Sequence, residues 1–493
     1  IGSSRPYSAV LAVWLGIPPL IFGAVTLAMS VVSVPVKLGI GALADRTQKL
    51  NLLITLIAVT EGSSHLYLSF IQPVRLPHVE FFSLTTLYSS PRKGRDVCFP
   101  VKSDYPTDLP CLLLCGCKVS LETSPLINST LNSSFLLDSQ GHCMSSRRLD
   151  EGQRDYFCEI SSDYLCVLRC PDRGQLFSHG YYWHYVAARV ISGMTSSALI
   201  PLTDAMTYAI AGSEGGRGEG DNALAVFYSH YRLWGAIGWG SMGLVAGVTN
   251  QMAGESALTT DYSCGLYINA SLTALDVMVL LYVVVPRRAR PCMAVRNSEE
   301  AAFLPPRTIL LLLSLFVVGF LSSVFTLYGF VHLQDLGASR TTMGLTMAAH
   351  CLVGEFASLT AADWFFAKLS QGSIFNLTLG ATIARCLAYA MARKTWHVMP
   401  AEVTYGFCYG LLCASYTSAG AASEAALRSQ TLMQCLLGAV LEEFGVGIGS
   451  FVGGLCFTNG GGRMTYIYFL HFCIVYTLLH IPLERYLSAK EKK

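Results

Sequence analysis

GALADRTQK, Gly41–Lys49, is a short charged turn set between two long apolar runs, and its reading decides the fold. The run before it covers 17–40 and the run after it 50–71. Each has about the 20 residues that cross roughly 30 Å of hydrocarbon as a helix. Asp45, Arg46 and Lys49 then lie at the tip of a helical hairpin whose arms suit lipid. Working outward, the same kind of window recurs near 181–211, 229–250, 264–285, 308–331, 342–363, 373–392, 398–420, 431–457 and 464–484. Eleven complete spans result. The leading IGSSRPYSAVLAVWLG reads as the last turns of one more helix, so twelve is the expected full number, with the first helix largely missing.

Composition supports this reading. A 493-residue chain that is 52% hydrophobic and 13% charged cannot hide its apolar surface in one water-soluble core. The expected fold class is an all-α polytopic membrane protein in contact with membrane lipid. A net charge of +2 gives no ground for a nucleic-acid partner. No Gly-rich phosphate loop, catalytic triad or ordered metal-ligand cluster stands out, so no enzyme activity, catalytic residue, metal or cofactor is expected.

Lys and Arg collect on the cytoplasmic side of short loops. Arg287, Arg288, Arg290, Arg296 and Arg307 follow the span at 264–285, and the chain ends SAKEKK. These anchors place the Asp45 turn inside and the stretch from about 73 to 180 outside. That stretch holds the sequons at Asn128 and Asn132, which only an outer loop could have glycosylated. It also holds eight of the 17 cysteines: Cys98, Cys111, Cys115, Cys117, Cys143, Cys158, Cys166 and Cys170. An even count in an oxidising compartment predicts up to four disulfides, with 105 pairings open. A zinc site around Cys115 and Cys117 is the weaker alternative. The sequons at Asn269 and Asn376 fall at helix ends or on the inner side and are discounted.

The expected organisation is an N-terminal helix bundle over 1–285 carrying the outer loop, a cytoplasmic linker at 286–307, a C-terminal bundle over 308–484 and a tail at 485–493. Two six-helix bundles around a midplane site is a common transporter plan. GALADRTQK resembles the G-x-L-A-D-R-x-G-R-K signature of the major facilitator superfamily, with Gly41, Leu43, Asp45, Arg46 and Lys49 matching and Gln48 replacing the second glycine. The resemblance implies that Gly41, Asp45 and Arg46 form a gate motif in which the aspartate caps neighbouring helix ends.

YRLWGAIGWG, Tyr231–Gly240, places Arg232 and Trp239 seven residues apart, on nearly one helix face. Gly235, Gly238 and Gly240 would let a neighbouring helix approach. A guanidinium in the bilayer normally faces a partner or an aqueous cavity. The alternative is that Arg232 snorkels to the surface. The preceding span carries Asp204 in PLTDA, a candidate partner for Arg232 in a buried pair. PLTDA followed by R-L-W-G-x-I-G-W resembles the lactose-permease and nucleoside-symporter branch of the superfamily, and RLWG-x-x-GWG resembles its domain-containing protein six group. The resemblance implies that Asp204 and Arg232 bind substrate hydroxyls and Trp239 stacks on a sugar ring.

In the C-terminal half, Glu355 in GEFASL and Arg385 in TIARCLAY match the same branch and are expected to face the cavity. The tenth-span histidine and glutamate of the symporters are replaced by Tyr405 and Cys408, and Glu442 and Glu443 are the alternative proton-coupling candidates. As neighbours on a helix they diverge by about 100° and should not face one cavity together. His350, five residues before Glu355, should lie too far round the helix to pair with it. Glu61 and His65 could pair on one face, and Arg189 and Asp276 have no assigned role. The expected function is secondary-active transport of a small polar solute, a sugar, nucleoside or similar, by alternating access, with proton coupling open and the plasma membrane as default location. The alternative is a cell-surface receptor or adhesion protein whose Cys-rich ectodomain binds an extracellular protein ligand.

Overall fold

The computed structural model describes residues 7–14, 17–47, 49–71, 112–117, 131–137, 143–145, 166–169, 180–213, 223–256, 263–282, 306–422 and 430–491. Helices occupy every apolar window: α1 Ser8–Trp14, α2 Pro19–Thr47, α3 Leu50–Ser69, α4 Gly180–Ser213, α5 Ala223–Ser256, α6 Ser263–Tyr282 and α7 Pro306–Asp335 in the first part. They continue as α8 Arg340–Ala348, α9 Phe356–Thr360, α10 Ala362–Lys368, α11 Gln371–Met391, α12 Met399–Ala422, α13 Gln430–Gly438 and α14 Val446–Glu491. A helix satisfies its own backbone, which hydrocarbon cannot do. Among the described residues, seven helical stretches are each long and apolar enough to cross a membrane, and the bent pair Arg340–Thr360 and Ala362–Lys368, if one span, makes an eighth. Neither α5 nor α12 is among them. Both carry polar site residues. α14 holds the end of the span expected at 431–457 and the whole of that at 464–484, separated at Gly461, whose φ of 70° is the left-handed conformation that glycine adopts without a Cβ clash.

Two π-helical segments interrupt the regular winding, Ala349–Glu355 between α8 and α9 and Ala439–Gly445 between α13 and α14. Such i→i+5 turns are rare and recur at functional sites.

Pairs of helices distant in sequence pack along their length. α2 lies against α13 and α14, and α5 against α8 and the first π segment. Small residues permit the second contact: a Cβ on Gly247 would come within 2.7 Å of the Arg340 carbonyl oxygen, and one on Gly344 within 2.8 Å of the Gly243 carbonyl oxygen. Tyr7 and Arg340 add hydrogen bonds here, Tyr7 Oη donating to the Gly243 carbonyl at 3.1 Å and Arg340 Nη1 to the Asn250 carbonyl.

The chain divides into two compact units, Ile1–Ile71 with His184–Lys493, and Gln72–Trp183. The sequence reading assigned no regular elements to the second unit. It contains a four-stranded antiparallel sheet, β1 Leu112–Cys117, β2 Leu131–Leu137, β3 Cys143–Ser145 and β4 Cys166–Arg169, in the order β3-β2-β1-β4. Pairing strands satisfies backbone groups that a loop of this length would otherwise expose. Asn132 lies on β2 opposite Gly116, and Cys115 lies opposite Cys166. Asn128, Cys98, Cys111, Cys158, Cys170 and most of the 286–307 linker fall outside the described residues.

Candidate functional site

Arg232 sits on α5, about two and a half turns into a helix rich in small and aromatic residues. Its side chain keeps 23% exposure, and Nη2 lies 3.9 Å from Glu355 Oε2. Asp204 is not its direct partner, contrary to expectation. The Tyr228 hydroxyl donates to Asp204 Oδ1 at 2.7 Å, and Arg232 Nη1 reaches the same hydroxyl at 3.5 Å. Tyr228 stands between the charges because it lies four residues before Arg232, on the same face of α5. Tyr208 stacks on Tyr228, with centroids 5.4 Å apart. Arg232 Nε has no hydrogen-bond partner among the described residues, and its guanidinium lies 5.9 Å from the Tyr409 ring. With five N–H donors to place, this cation is only partly satisfied.

Glu355 closes the first π segment, and there a second expectation is corrected. His350 Nε2 lies 3.5 Å from Glu355 Oε1 although the residues are five apart. In an α-helix they would point apart, whereas a π turn stacks i over i+5. The other ring nitrogen, Nδ1, lies 3.2 Å from Glu402 Oε2. Glu402, on α12, is the best-partnered acid in the region. Arg385 donates Nε to Oε1 and Nη2 to Oε2, both at 2.7 Å, and the Tyr389 hydroxyl donates to Oε1 at 2.8 Å. Arg385 is also flanked by the rings of Phe325 and Tyr405, at 4.1 and 4.4 Å. The result is one chain of buried and half-buried charges, Arg232–Glu355–His350–Glu402–Arg385, spanning α5, the π segment, α12 and α11. His350, Cys351 and Glu355 bring their donor atoms within 4.8 Å of one another. The imidazole and the Glu355 carboxylate are already engaged with each other, and Glu355 also faces Arg232, so the group is an ion-pair network.

The second π segment carries Glu442 and Glu443. Both reach Lys37 of α2, Glu442 Oε2 at 3.6 Å and Glu443 Oε1 at 3.3 Å. The expectation that neighbouring carboxylates cannot share one place is therefore corrected. A long ammonium side chain with no exposed surface lies within reach of both, and Gly438, whose Cβ would approach Lys37 Nζ to 3.2 Å, leaves the space.

Asp45 lies at the start of α13. Its Oδ1 and Oδ2 accept the backbone N–H groups of Thr431 at 3.4 Å and Leu432 at 3.0 Å, capping the first turn of α13. A carboxylate there satisfies orphan donors and favours the helix dipole. Gly41 faces Cys435, whose Sγ would lie 2.8 Å from an added Cβ. Arg46 is exposed.

Other expected residues are placed less centrally. Trp239 is half-buried, and of the three glycines around it only Gly240 meets a neighbour, at Cys351 and Leu352. Gly235 and Gly238 have nothing within 4 Å. Trp239 follows Arg232 by two turns. Glu61 does not pair with the His65 ring through its carboxylate. It accepts from the Ser196 hydroxyl at 2.7 Å, and His65 Nδ1 meets the Glu61 backbone oxygen. Asn269 is 1% exposed, which excludes a glycan there. The sequence reading missed Lys37, Glu402 and Tyr228. Glu402 in AEVTYGF was visible as an acid at the start of an apolar span, the signal that singled out Asp204.

Helical architecture and buried charge define a multi-pass membrane protein. The chain matches the MFS_1 like family over residues 1–468, and it belongs to that family. It is 27% identical to the mouse (Mus musculus) major facilitator superfamily domain-containing protein 6-like over 262 residues, 50% of this chain and 42% of that protein. The maltose permease of Geobacillus stearothermophilus is 23% identical over 64% of this chain and 75% of its own length. The match thus spans less than half of the mouse relative. Among solved structures, a variant of the nucleoside transporter NupG superposes with a TM-score of 0.59 at 12% identity, covering 98% of this chain and 95% of NupG. That likeness establishes the major facilitator fold.

Proposed function

We propose that the protein is a secondary-active transporter that moves a small polar solute across the membrane by alternating access between an N-terminal bundle (1–285) and a C-terminal bundle (308–484), joined by the cytoplasmic linker. The observation that carries the reading is Arg232, a half-buried guanidinium with donors to spare, facing Glu355 of the other half of the chain. A cation needed only for folding would be paired as closely as Arg385 is. Arg232, Asp204 and Glu355 would supply the polar contacts to the solute and Trp239 its stacking surface, while Arg385 acts through Glu402. Sugars and nucleosides are the first classes to test, because a maltose permease and a nucleoside transporter are among the proteins it resembles. Glu442 and Glu443 are candidates for proton coupling, since both carboxylates reach one fully buried lysine, Lys37.

The test is a thermal-stabilisation screen of the purified chain against nucleosides, mono- and disaccharides and organic ions, followed by counterflow in liposomes. A solute that stabilises wild type but not Arg232→Ala, and that exchanges across the membrane, supports the reading. Exchange at the wild-type rate and affinity in Arg232→Lys and Trp239→Ala would refute the site.

A second reading concerns the outer unit. Its compact sheet of its own favours a binding module for an extracellular protein, with a plasma-membrane location, glycans at Asn128 and Asn132 and disulfides among the eight cysteines.

A further inference from the structure

We propose that a cleft between the ends of α7, α11 and α14 binds a membrane phospholipid whose headgroup ends in a primary ammonium, as in phosphatidylethanolamine. The inference does not depend on the transport reading. The cleft holds about 420 Å³, a size common among small-molecule pockets. Its walls are Leu310 and Leu311 of α7, Phe375 of α11 and Leu487 of α14. Its floor is polar but already satisfied. His480 Nε2 meets the Ser314 hydroxyl at 2.9 Å and His480 Nδ1 meets Asn376 Oδ1 at 3.0 Å, while Tyr476 Oη lies 3.2 Å from the Ser314 oxygen.

Two other groups lining the cleft keep capacity for a ligand. Gln371 Nε2 is buried and has no hydrogen-bond partner among the described residues. A buried donor costs free energy until an acceptor reaches it. Among the described residues, the hydrogen bond to Glu484 comes from the Ser488 hydroxyl, 3.0 Å from Oε1, and an ionised carboxylate has about four acceptor places. Gly372 makes room for that acid, since a Cβ there would run into Glu484 Oε1. The carboxylate thus lies against the first turn of α11, where the helix dipole favours negative charge. The cleft therefore calls for a cation with N–H donors at Glu484 and for an acceptor at Gln371.

A primary ammonium followed by a phosphate carries those two groups side by side. The ammonium donates to Glu484 and to the Ser488 oxygen, and a phosphate oxygen accepts from Gln371 Nε2. A choline headgroup has methyls in place of N–H and leaves Glu484 without donors. The source is membrane lipid because the neighbouring surface is apolar and open. Ile309 and Leu313 on α7 are 52% and 46% exposed, and Leu479 and Leu483 on α14 are 67% and 45% exposed, a surface that suits acyl chains. Arg485 and Lys490, exposed on the same end of α14, are the kind of residue that sits at the headgroup layer. The basic linker at 286–307 and the terminal lysines assign this end to the cytoplasmic side, so the lipid would come from the inner leaflet.

Native mass spectrometry of the delipidated full chain tests this, with phosphatidylethanolamine, its N,N-dimethyl derivative and phosphatidylcholine of the same acyl chains added in turn. One molecule of phosphatidylethanolamine should be retained severalfold more strongly than phosphatidylcholine, with the dimethyl lipid, which keeps a single N–H, in between. Glu484→Gln should lower phosphatidylethanolamine to the phosphatidylcholine level. Gly372→Ala, which pushes the carboxylate aside without removing its charge, should reduce the same preference and stands in if the first variant does not fold. Gln371→Leu should weaken all three lipids alike, because it removes a contact to the phosphate they share. Equal retention of phosphatidylethanolamine and phosphatidylcholine, or a preference that survives both Glu484→Gln and Gly372→Ala, overturns the proposal. So does equally tight retention of glycerophosphoethanolamine, which has the headgroup without the chains.

Discussion

Glu402, buried, and Arg232, half-buried, show how differently two charged residues inside the bundle can be used. Glu402 fixes Arg385 through two parallel hydrogen bonds, the strongest arrangement available to that pair. Replacing it leaves a guanidinium buried between two aromatic rings with no carboxylate. Glu402→Leu is therefore expected to destabilise the chain by about 3–5 kcal/mol, and Glu402→Leu with Arg385→Met to recover most of the loss. Thermal unfolding in detergent, monitored for both variants, would check this, and equal losses in the single and the double variant would contradict it. Arg232 should respond in the opposite way: Arg232→Lys is expected to fold normally and lose solute affinity. Trp239→Phe should keep most stacking and Trp239→Ala lose more, a difference of about 0.5–1.5 kcal/mol in binding. Titration calorimetry with a solute from the screen measures it.

Among the elements, the two π segments matter most, since each presents acids to a cation from the first half of the chain, Glu355 to Arg232 and Glu442 with Glu443 to Lys37. The first segment is pressed against α12 backbone to backbone. A Cβ on Gly354 would lie 2.5 Å from the Val403 carbonyl oxygen, and one on Gly406 2.2 Å from that of His350. Backbone cannot step aside as a side chain can. Gly354→Ala and Gly406→Ala should each cost about 1–3 kcal/mol by overpacking. Gly380→Ala on α11, with nothing within 4 Å, should instead stabilise by about 0.5–1 kcal/mol through helix propensity. Unfolding midpoints of the three variants should separate in that order, and a destabilised Gly380→Ala would show that the packing is misread.

For the whole molecule, α2, like α5, ties the halves of the chain together, from Tyr328 Oη near the Pro19 carbonyl to Asp45 at the start of α13. Asp45→Asn removes the charge from a cap worth about 0.5–2 kcal/mol. It should open that end of the molecule severalfold more often while leaving the Arg232 site intact. Labelling of a cysteine introduced at Thr431 should speed up in this variant, and an unchanged rate would remove Asp45 from the gate. For the outer unit, amidase treatment of cell-expressed protein should raise gel mobility, and replacing Asn128 and Asn132 together should abolish the shift.

Periodicity of apolar residues determined the helices, and lipid explains why: a 20-residue window without a water partner has no choice but to bond within itself. The Asp45 turn, Arg232 and Glu355 were legible for a related reason, because charge inside hydrocarbon is too costly to be incidental. What the sequence could not reveal is which charge meets which. An i→i+5 pair is invisible to a count made at 3.6 residues per turn, so the His350–Glu355 contact was misread, and the shared reach of Glu442 and Glu443 depends on Lys37 of a distant helix. Tyr228 between Asp204 and Arg232, and Glu402 behind Arg385, depend on how α4, α5, α11 and α12 lie against one another. The sheet of the Gln72–Trp183 unit is likewise a matter of pairing between segments. Composition and spacing determine elements, since those are local; partners come from helices brought within a few ångströms by packing, and only the tertiary structure decided them.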